Sequence, residues 1–505
     1  MDLEEAFKET GEFGKGQKKL FFMTMFLHMF CAFNTLQHVL VGAKPEHFAC
    51  IEPNLKNIHQ PCNQTCNKYT FPGEFYTTIA HEWSLVCSNR YKIEMSGSIY
   101  MGGLMAGCLI FGFLSDKYGR RLIMLLVNIL SSLFLYSAAL SFNYYMYAVC
   151  RFFNGVFIGG AILVSFVVLT ESVGSGIRGS LGVLCAAAFA VGISIFGFIG
   201  YFIYNWRLLI IITGLPGLFL SVYFYIKLLE SPRWLLSCGR VEDAENVMEV
   251  IARRNGKKVA PIKLKKPETN NKKSINILTA LKIGKLRTHF LILVFNWFVN
   301  SLVYYGLSMG SGNFSPNIYI NEGLGGLIEL PAYVLVYLLL DRLGRKILLA
   351  AALIISAVSS FVLFFLTYNN ISNWTTFGLA TIGKLMISGS FCIAYIYSAE
   401  LFPTIVRSNL MGLCSVAARI GGMIAPLMPT IKYHQKNSPQ WLLYFILCLI
   451  AGIGVFFLQE TCNKPTINTL EDVIGQSNSR PNKAYYRGED EIELLNAEEM
   501  AGENA

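Results

Sequence analysis

The sequence predicts an all-α integral membrane protein, with twelve transmembrane helices in two pseudo-symmetric six-helix bundles. Composition, the number of apolar runs and an internal repeat lead to this prediction. Of the 505 residues, 53% are hydrophobic and only 15% are charged, which excludes an ordinary soluble enzyme. At about 20 residues for each spanning helix, twelve helices need roughly 240 to 270 residues, and the chain contains that many in separate runs.

Twelve apolar runs define the predicted spans, numbered here in chain order. They cover approximately residues 18–42, 93–115, 122–141, 144–167, 178–202, 206–226, 288–309, 317–340, 346–368, 374–397, 406–429 and 439–459. The first run follows an acidic, polar stretch and is too long for a cleavable signal sequence, so we expect it to remain as span 1.

The basic residues predict the orientation of these spans. The net charge is +10, and fifteen Lys and Arg residues fall within 227–287, whereas the short connections after spans 3, 7 and 9 contain none. Because basic loops stay in the cytosol, we expect both termini to be cytosolic in a multi-pass protein of the cell membrane. The charge therefore reports topology and does not indicate a nucleic-acid partner.

This topology divides the chain into five predicted regions. They are an N-terminal bundle at 1–226 with an extracellular segment at 43–92, a basic cytosolic linker at 227–287, a C-terminal bundle at 288–460 and a tail at 461–505 that is expected to be disordered. In the linker, apolar residues recur at helical spacing between Val241 and Arg254, which predicts one helix packed under the membrane domain.

The extracellular segment is rich in cysteine. It contains Cys50, Cys62, Cys66 and Cys87, together with an N-glycosylation sequon at Asn63. Thiols oxidise outside the cell, so we expect two disulfides, with all three connectivities open. A zinc site using Cys62 and Cys66 is the alternative.

Two further sequons lie in a predicted outer connection. They begin at Asn370 and Asn373, and we expect both to be available for glycosylation.

An internal repeat relates the two halves. The same charged motifs recur at offsets of 225 to 230 residues, on the cytosolic side of corresponding spans. The matched pairs are Asp116 with Asp341, Gly119 with Gly344, Arg120 with Arg345, Glu171 with Glu400, Arg178 with Arg407, and Glu230 with Glu460.

We interpret these repeated residues as a cytosolic gate. Each acid lies beside arginine at a helix end, where ion pairs across closely spaced helices hold the inner face shut and are hydrated when the halves rock apart. Glycine at 119 and 344 allows a tight connection between spans. The alternative is that the residues are only positively charged flanks of the spans, which accounts for the arginines but not for the paired acids.

Several stretches resemble a known transporter family. Residues 112–121 resemble the signature loop of the major facilitator superfamily, which implies its fold and a transport function. Residues 230–235 and 399–407 are similar to the signatures of solute carrier family 22, the organic cation, anion and carnitine transporters. Residues 297–307 and 418–426 are most similar to its member 15 branch. One departure is the outer segment, which is about half the usual length for this family.

Two charged residues lie near the middle of predicted spans. Glu329 precedes Asp341 by twelve residues, and Arg419 follows Arg407 by twelve, so each lies roughly 18 Å from the cytosolic edge. Charges at that depth are costly and suggest function. We expect them to face a central cavity and to bind opposite poles of a small solute, with a structural ion pair between them as the alternative.

The resemblance favours zwitterions. It implies that an acid in span 8 is typical of cation carriers, whereas arginine at the span 11 position is typical of anion carriers. Cysteine at 392 replaces the acid that cation carriers often have in span 10. We therefore expect zwitterions such as carnitine or amino-acid-derived betaines, together with organic cations.

Polar and aromatic residues complete the candidate site. Tyr304, Tyr305 and Trp297 offer aromatic faces to a delocalised cation, and Asn34 is polar at cavity depth, although each has packing as its alternative. Lys384 is expected nearer the outer end of its span, where its ammonium reaches the interface or an outer gate.

The predicted function is a carrier that works by alternating access, and not an enzyme. No cofactor and no metal are expected. An organic anion carrier or a sugar-type carrier is the alternative, followed by a channel and a non-transporting receptor. Glu329 is the only convincing carboxylate at mid-membrane depth, and sodium and proton coupling, exchange and uniport all stay open.

Overall fold

The computed structural model describes most of the 505-residue chain. Outside the described residues are 2, 46–47, 51–61, 63–68, 73–75, 175–177, 258–261, 266–279, 311–317, 370–373, 404–405, 431–438 and 463–505. Within the described part, eleven helices are long and apolar enough to cross a membrane, and a twelfth, Gln440–Val455, is apolar and shorter.

The twelve helices confirm the predicted membrane fold. In chain order, spans 1 to 6 are Lys15–Val41, Tyr91–Tyr118, Arg120–Ala139, Tyr144–Glu171, Arg178–Phe202 and Trp206–Lys227. Spans 7 to 12 are Gly284–Gly310, Ile318–Leu327 with Glu329–Leu343, Arg345–Tyr368, Trp374–Leu401, Arg407–Ile424 and Gln440–Val455. The ends of the helices differ from the predicted bounds by up to five residues: span 10 continues to Leu401, past the predicted end at 397, whereas spans 11 and 12 end earlier than predicted, at Ile424 and Val455.

The helices expose apolar side chains on the outside of the molecule and pack through small residues inside. Phe113, Tyr225 and Tyr337 are 69–73% exposed, as suits contact with lipid. Spans 2 and 4 approach so closely that a Cβ added at Gly107 would lie 1.8 Å from the carbonyl oxygen of Val156. Packing through glycine brings membrane helices together without a hydrophobic driving force.

Among the described residues, the most extensive contacts between the two bundles are those of spans 2 and 11 and of spans 5 and 8. We call the side that carries the linker the inner side. A Cβ added at Gly102 in span 2 would lie 3.4 Å from the sulfur of Met423 in span 11, and one at Gly197 in span 5 would lie 2.4 Å from the amide of Gly323 in span 8. These contacts lie in the outer halves of the spans, so the bundles are closed together on the outer side.

Span 8 is interrupted, which the sequence did not predict. Ile328 separates its two helical segments, although this residue keeps helical backbone angles. Pro331 explains the interruption, because it lacks the N–H that would bond to the carbonyl of Leu327. Interrupted helices in carriers often mark the binding site, and the second segment begins at Glu329.

Three short helices pack together on the inner side. They are Leu3–Thr10, Pro232–Ser237 and Val241–Arg254, and the last has the predicted bounds. Phe7, Trp234 and Met248 form the centre of their shared apolar cluster. The sequence did not predict the helix at residues 3–10. Its amphipathic pattern is short and lies within an acidic stretch, and its apolar side becomes buried only by packing against the linker.

The outer segment contains little regular structure among its described residues. A two-residue strand at Ala49–Cys50 pairs antiparallel with another at Tyr69–Thr70, and a short helix follows at Ile79–Glu82. The side chain of Thr78 caps this helix by accepting a hydrogen bond from the amide of Ala80.

Candidate functional site

Glu329 lies at the centre of a polar cluster inside the C-terminal bundle. Its side chain is completely buried. The hydroxyl of Tyr304 in span 7 donates to its two carboxylate oxygens at 3.0 and 3.2 Å, and that of Tyr333 donates to Oε2 at 3.2 Å. The ammonium of Lys384 in span 10 lies 3.2 Å from Oε1. Three spans therefore satisfy one buried carboxylate, as its cost of burial requires.

Lys384 does not reach the membrane interface, contrary to expectation. It is only 6% exposed, and its ammonium lies 6.0 Å from the ring centroid of Tyr304 as well as against Glu329. A buried lysine is more stable beside a carboxylate and an aromatic face than along apolar helix surfaces. Span 8 supplies that carboxylate, and the linear sequence did not indicate the contact.

Arg419 lies apart from this acid. Its side chain is half-buried, and its guanidinium lies among Tyr305, Tyr395, Tyr100 and Cys108. Its Nε has no hydrogen-bond partner within the part of the chain that the structure describes. Tyr100 and Cys108 belong to span 2, so Arg419 faces the opposite bundle. The ion pair of Glu329 is made with Lys384, and the alternative of a structural pair with Arg419 is therefore wrong.

Two adjacent tyrosines connect the acid and the base. Tyr304 bonds to Glu329, and Tyr305 lies beside Arg419. Their rings meet edge to face with centroids 5.1 Å apart. Opposite charges thus lie on either side of one aromatic pair, an arrangement suited to a small solute with two charged ends.

Trp297 and Asn34 have partners within the protein. The indole of Trp297 is 2% exposed, donates to the hydroxyl of Ser398 at 2.9 Å and packs against Tyr395. Asn34 donates from its side-chain amide to the backbone carbonyl of Phe30, and the backbone carbonyl of Asn34 accepts from Arg151. The packing alternative thus accounts for every contact seen for Trp297, whereas the Oδ1 of Asn34 has no partner among the described residues.

The repeated charged residues of the N-terminal bundle form a first inner network. Arg120 bonds to both oxygens of Glu171, at 3.0 and 3.1 Å, and lies 2.9 Å from a carboxylate oxygen of Asp116. Glu230 accepts from the backbone amide of Arg120 at 2.9 Å, at the N-terminus of span 3. A carboxylate at this position accepts hydrogen bonds from the free backbone amides, and its negative charge interacts favourably with the positive end of the helix dipole.

The C-terminal bundle repeats this geometry in a second inner network. Arg345 bonds to both oxygens of Glu400, at 3.1 and 3.2 Å, and lies 3.0 Å from Asp341. Glu460 accepts from the amide of Arg345 at 3.0 Å, at the N-terminus of span 9. The sequence repeat is therefore also a repeat of structure.

Each network stays within its own bundle. We expected ion pairs across closely spaced helices, and the arginines do pair across spans, but within the described part of the chain Arg120 and Arg345 bind acids of their own half. Arg407 donates to the carbonyl of Phe402, and the side chain of Arg178 lies outside the described part of the chain. The networks therefore hold each bundle together at its inner end.

Glycine is required in both networks. Gly119 has φ +98° and Gly344 has φ +82°, and both precede the first residue of a span. A Cβ at these positions would lie 2.5 Å from an oxygen of Glu230 and 2.6 Å from one of Glu460. The tight connections expected from the sequence are present, and the positive φ gives their physical reason.

The second network depends on a charged Glu460. Burial acts to raise the pKa of this carboxyl, but backbone hydrogen bonds from Cys462, Arg345, Lys346 and Thr461 outweigh it, and the pKa lies below its ordinary value. A lowered pKa means that the carboxylate stabilises the folded state at neutral pH. This stabilisation is lost as the pH falls through the lowered pKa.

The outer segment contains one fully described disulfide, between Cys62 and Cys87. Cys50 is also disulfide-bonded, while Cys66 lies outside the described residues. The disulfide at Cys62 contradicts the zinc alternative. The sequons at Asn63, Asn370 and Asn373 lie outside the described residues as well.

Sequence reasoning missed two members of the central site. Tyr333 lies one helical turn after Glu329 and contacts the same carboxylate. Glu322 lies two turns before it and is 1% exposed, so Glu329 is not the only buried carboxylate at depth. The spacings of four and seven residues on one span were the available signal.

The chain is similar to known transporters over most of its length. Residues 58–472 match the family "Sugar (and other) transporter". The chain is 37% identical over 483 residues to solute carrier family 22 member 15-like of Xenopus tropicalis, covering 94% of this chain and 96% of that protein. It is 32% identical to the organic cation transporter protein of Drosophila melanogaster, covering 94% of each. It is 30% identical to organic cation/carnitine transporter 4 of Arabidopsis thaliana, covering 91% and 88%.

Solved structures show the same fold. The inward open conformation of the xylose transporter XylE from E. coli superposes with a TM-score of 0.64 at 15% identity, covering 91% of this chain and 99% of that one. At this identity the likeness shows the fold alone. The partially occluded inward open form of the same transporter gives a TM-score of 0.62, covering 89% and 99%.

Proposed function

We propose that this chain, which belongs to the sugar (and other) transporter family and within it to solute carrier family 22, carries small organic cations and zwitterions across the plasma membrane by alternating access. Its family and its relatives are transporters and not enzymes. The proposal includes the substrate class, the plasma membrane as the membrane that is crossed, and the cytosolic side for both termini.

The contact between Lys384 and Glu329 is the observation that supports this proposal most directly. A primary ammonium lies 3.2 Å from a buried carboxylate and 6.0 Å from the centre of the Tyr304 ring. A carboxylate combined with an aromatic face is the environment that binds organic cations, with an aromatic contribution of roughly 0.5 to 2 kcal/mol. The position of the lysine ammonium therefore marks where a substrate cation would bind.

Arg419 supports the inclusion of zwitterions. Its half-buried guanidinium has an unpartnered Nε among the described residues and lies across the tyrosine pair from Glu329. A carboxylate of the substrate would satisfy it, because guanidinium and carboxylate form strong charge-assisted hydrogen bonds. A solute with both charges would engage Glu329 and Arg419 together.

An organic anion carrier is the second candidate. Arg419 favours it, and so does Arg151, which is completely buried between spans 1, 2 and 4. Arg151 already has several partners in the protein, however, since it donates to Gln37 at 2.7 Å and stacks on Tyr100 at 4.2 Å, and only its Nε has no partner among the described residues. A simple anion would engage Arg419 and leave the Glu329–Lys384 pair without a role in binding, so we rank this candidate second.

An uptake panel tests the substrate class. The protein is expressed in cells, and uptake of radiolabelled carnitine, tetraethylammonium and para-aminohippurate is measured with and without sodium. We expect saturable uptake of the first two, faster when the same solute is preloaded on the opposite side. Para-aminohippurate uptake without the others would decide for an anion carrier. Uptake without saturation would indicate a channel, and binding without uptake a receptor.

A further inference from the structure

Span 8 buries two carboxylates that share one lysine. Glu322 and Glu329 lie seven residues apart, about 10 Å along the helix, and are 1% and 0% exposed. Lys384 forms its ion pair with Glu329. Oε1 of Glu322 has no hydrogen-bond partner within the described part of the chain.

The lysine ammonium lies between the two acids. A Cβ added at Gly325 would be 2.9 Å from Nζ of Lys384, so the ammonium rests against the backbone of residue 325. That residue lies one turn after Glu322 and one turn before Glu329. Because glycine has no side chain, nothing at position 325 separates the ammonium from either carboxylate.

The single positive charge of this lysine can neutralise only one of the two carboxylates. Among the described residues, Glu329 and Lys384 are the charged groups that act on Glu322. Span 5, which packs against the outer segment of span 8, presents Ala190 and Ser194 there, and these carry no charge. A buried carboxylate without a counter-charge is costly, whereas a protonated carboxyl is not.

We propose that Lys384 changes partners when a cation binds, and that the carrier thereby exchanges one organic cation for one proton; this inference rests on the proposed function. In the empty site Lys384 pairs with Glu329, and Glu322 carries a proton. A substrate cation binds to Glu329 and displaces the ammonium toward Glu322. The O–H bond of Glu322 breaks, its proton passes to water, and the new carboxylate pairs with Lys384.

This exchange keeps the charge of the site constant. The empty site contains one negative and one positive charge together with a neutral carboxyl. The occupied site contains two carboxylates, the lysine and the substrate cation, so the sum is zero in both cases. Constant charge avoids the cost of leaving an unpaired ion in a poorly solvated cavity.

Proteoliposomes that contain the purified full-length protein test the exchange. The probe is radiolabelled tetraethylammonium, which carries no proton of its own. The membrane potential is held at zero, and a tenfold proton gradient is imposed with the acid side inside. One-for-one exchange requires tetraethylammonium to accumulate about tenfold by mass action, whereas uniport gives equal concentrations on both sides.

Two variants and one control assign the exchange to this cluster. With Glu322→Gln we expect no accumulation above the outside concentration. With Lys384→Met we expect uptake that no longer responds to the proton gradient. Glu94→Gln, which removes the partner of Lys44 at the outer end of span 2, should accumulate the probe like the wild type. Accumulation by Glu322→Gln that equals the wild type would overturn the proposal.

An infrared measurement separates this inference from the proposed function. In the substrate-free wild type we expect the C=O stretching band of a protonated carboxyl, lost in Glu322→Gln and kept in Glu94→Gln. If the band does not depend on Glu322, the inference is wrong whatever the carrier transports. If the wild type carries none of the probes while the band is lost in Glu322→Gln, the proposed function fails and the protonated Glu322 stands. Uptake of tetraethylammonium without any accumulation leaves the function intact and refutes the exchange.

Discussion

Single residues in this protein are stabilised by partners that come from other spans. Glu329 receives hydrogen bonds from Tyr304 and Tyr333 and an ion pair from Lys384, so one side chain ties spans 7, 8 and 10 together. In the membrane interior, where water does not compete, such a cluster must be satisfied by the protein or by its ligand. A solute that replaces one partner therefore changes the contacts of all of them.

Substitutions at the two candidate poles should differ in kind. Glu329→Gln should weaken inhibition by tetraethylammonium, and Arg419→Gln inhibition by para-aminohippurate. A charge-assisted hydrogen bond between Arg419 and a carboxylate contributes about 1.5 to 3 kcal/mol, or roughly ten- to a hundredfold in affinity. Tetraethylammonium has no N–H to donate, so its loss comes from the ion pair with Glu329, which we expect to be of a similar size in this poorly solvated site. The measurement is inhibition of carnitine uptake, normalised to surface abundance. Equal losses for both inhibitors in both variants would assign the residues to structure and not to recognition.

The inner ends of spans 3 and 9 have the same local structure. Each begins after a glycine with positive φ, and each has a glutamate bound to its first free amides. Each glutamate follows the last span of the same half, so the cap joins the third span of each six-helix bundle to the end of its last span. Helix capping is here a long-range contact and not a local motif.

The glycine before span 9 should be required for stability. Gly344→Ala places a Cβ at φ +82°, 2.6 Å from the carboxylate of Glu460, and we expect a loss of about 1 to 3 kcal/mol. Gly412→Ala is the matched control, since nothing lies within 4 Å of its added Cβ in span 11. Thermal unfolding in detergent measures both. A melting temperature for Gly344→Ala equal to that of the control would contradict the argument.

The loop between spans 2 and 3 should affect transport more than stability. The side chain of Asp116 is 72% exposed, and an exposed ion pair contributes only about 0 to 1 kcal/mol. We therefore expect Asp116→Asn to keep normal surface abundance and to slow uptake, if the first inner network acts in gating. Asp243→Asn removes a similar exposed pair with Arg240 in the linker helix and serves as the control. Normal uptake by Asp116→Asn at normal abundance would refute the gating role.

At the scale of the whole molecule, the two bundles touch in their outer halves. Spans 5 and 8 meet through glycines that allow backbone contact, and spans 2 and 11 meet near Gly102 and Met423. Alternating access requires these outer contacts to separate while each bundle moves as a unit. The two inner networks suit that motion, because each binds helices of its own bundle.

Cross-linking the outer contact should stop transport. In the double variant Gly102→Cys with Met423→Cys, we expect the new thiols to come within cross-linking reach, since the added Cβ at 102 is 3.4 Å from the sulfur of Met423, which lies one bond beyond the place of the new sulfur at 423. Oxidation should lower uptake at least about tenfold, because the outward-open state becomes inaccessible, and a reductant should restore it. Each single variant controls for the 13 natural cysteines. Unchanged uptake after complete cross-linking would show that these spans do not separate.

The predicted orientation can be tested at the outer segment. Asn63 lies in the segment that contains the disulfide between Cys62 and Cys87, and we expect it to be glycosylated. Glycosidase treatment should increase mobility on a gel, and Asn63→Gln should reduce that change while Asn370→Gln measures the contribution of the other loop. Labelling of the segment by reagents confined to the cytosol would contradict the predicted topology.

The number of spans, the repeat and the positions of Glu329 and Arg419 along their spans can be read from the amino-acid sequence alone. Apolar length and charge at helix ends are properties of the chain near each residue, and lipid imposes them on every membrane helix. The repeat also predicted which charged residues would occupy equivalent places, as Arg120 and Arg345 do. The partners of these side chains depend on how the helices pack. Lys384 pairs with Glu329, Trp297 packs on Ser398, and Glu322 lies beside the lysine. These contacts depend on the rotation and closeness of spans 7, 8 and 10, because they join side chains from helices far apart in sequence or two turns apart on one helix.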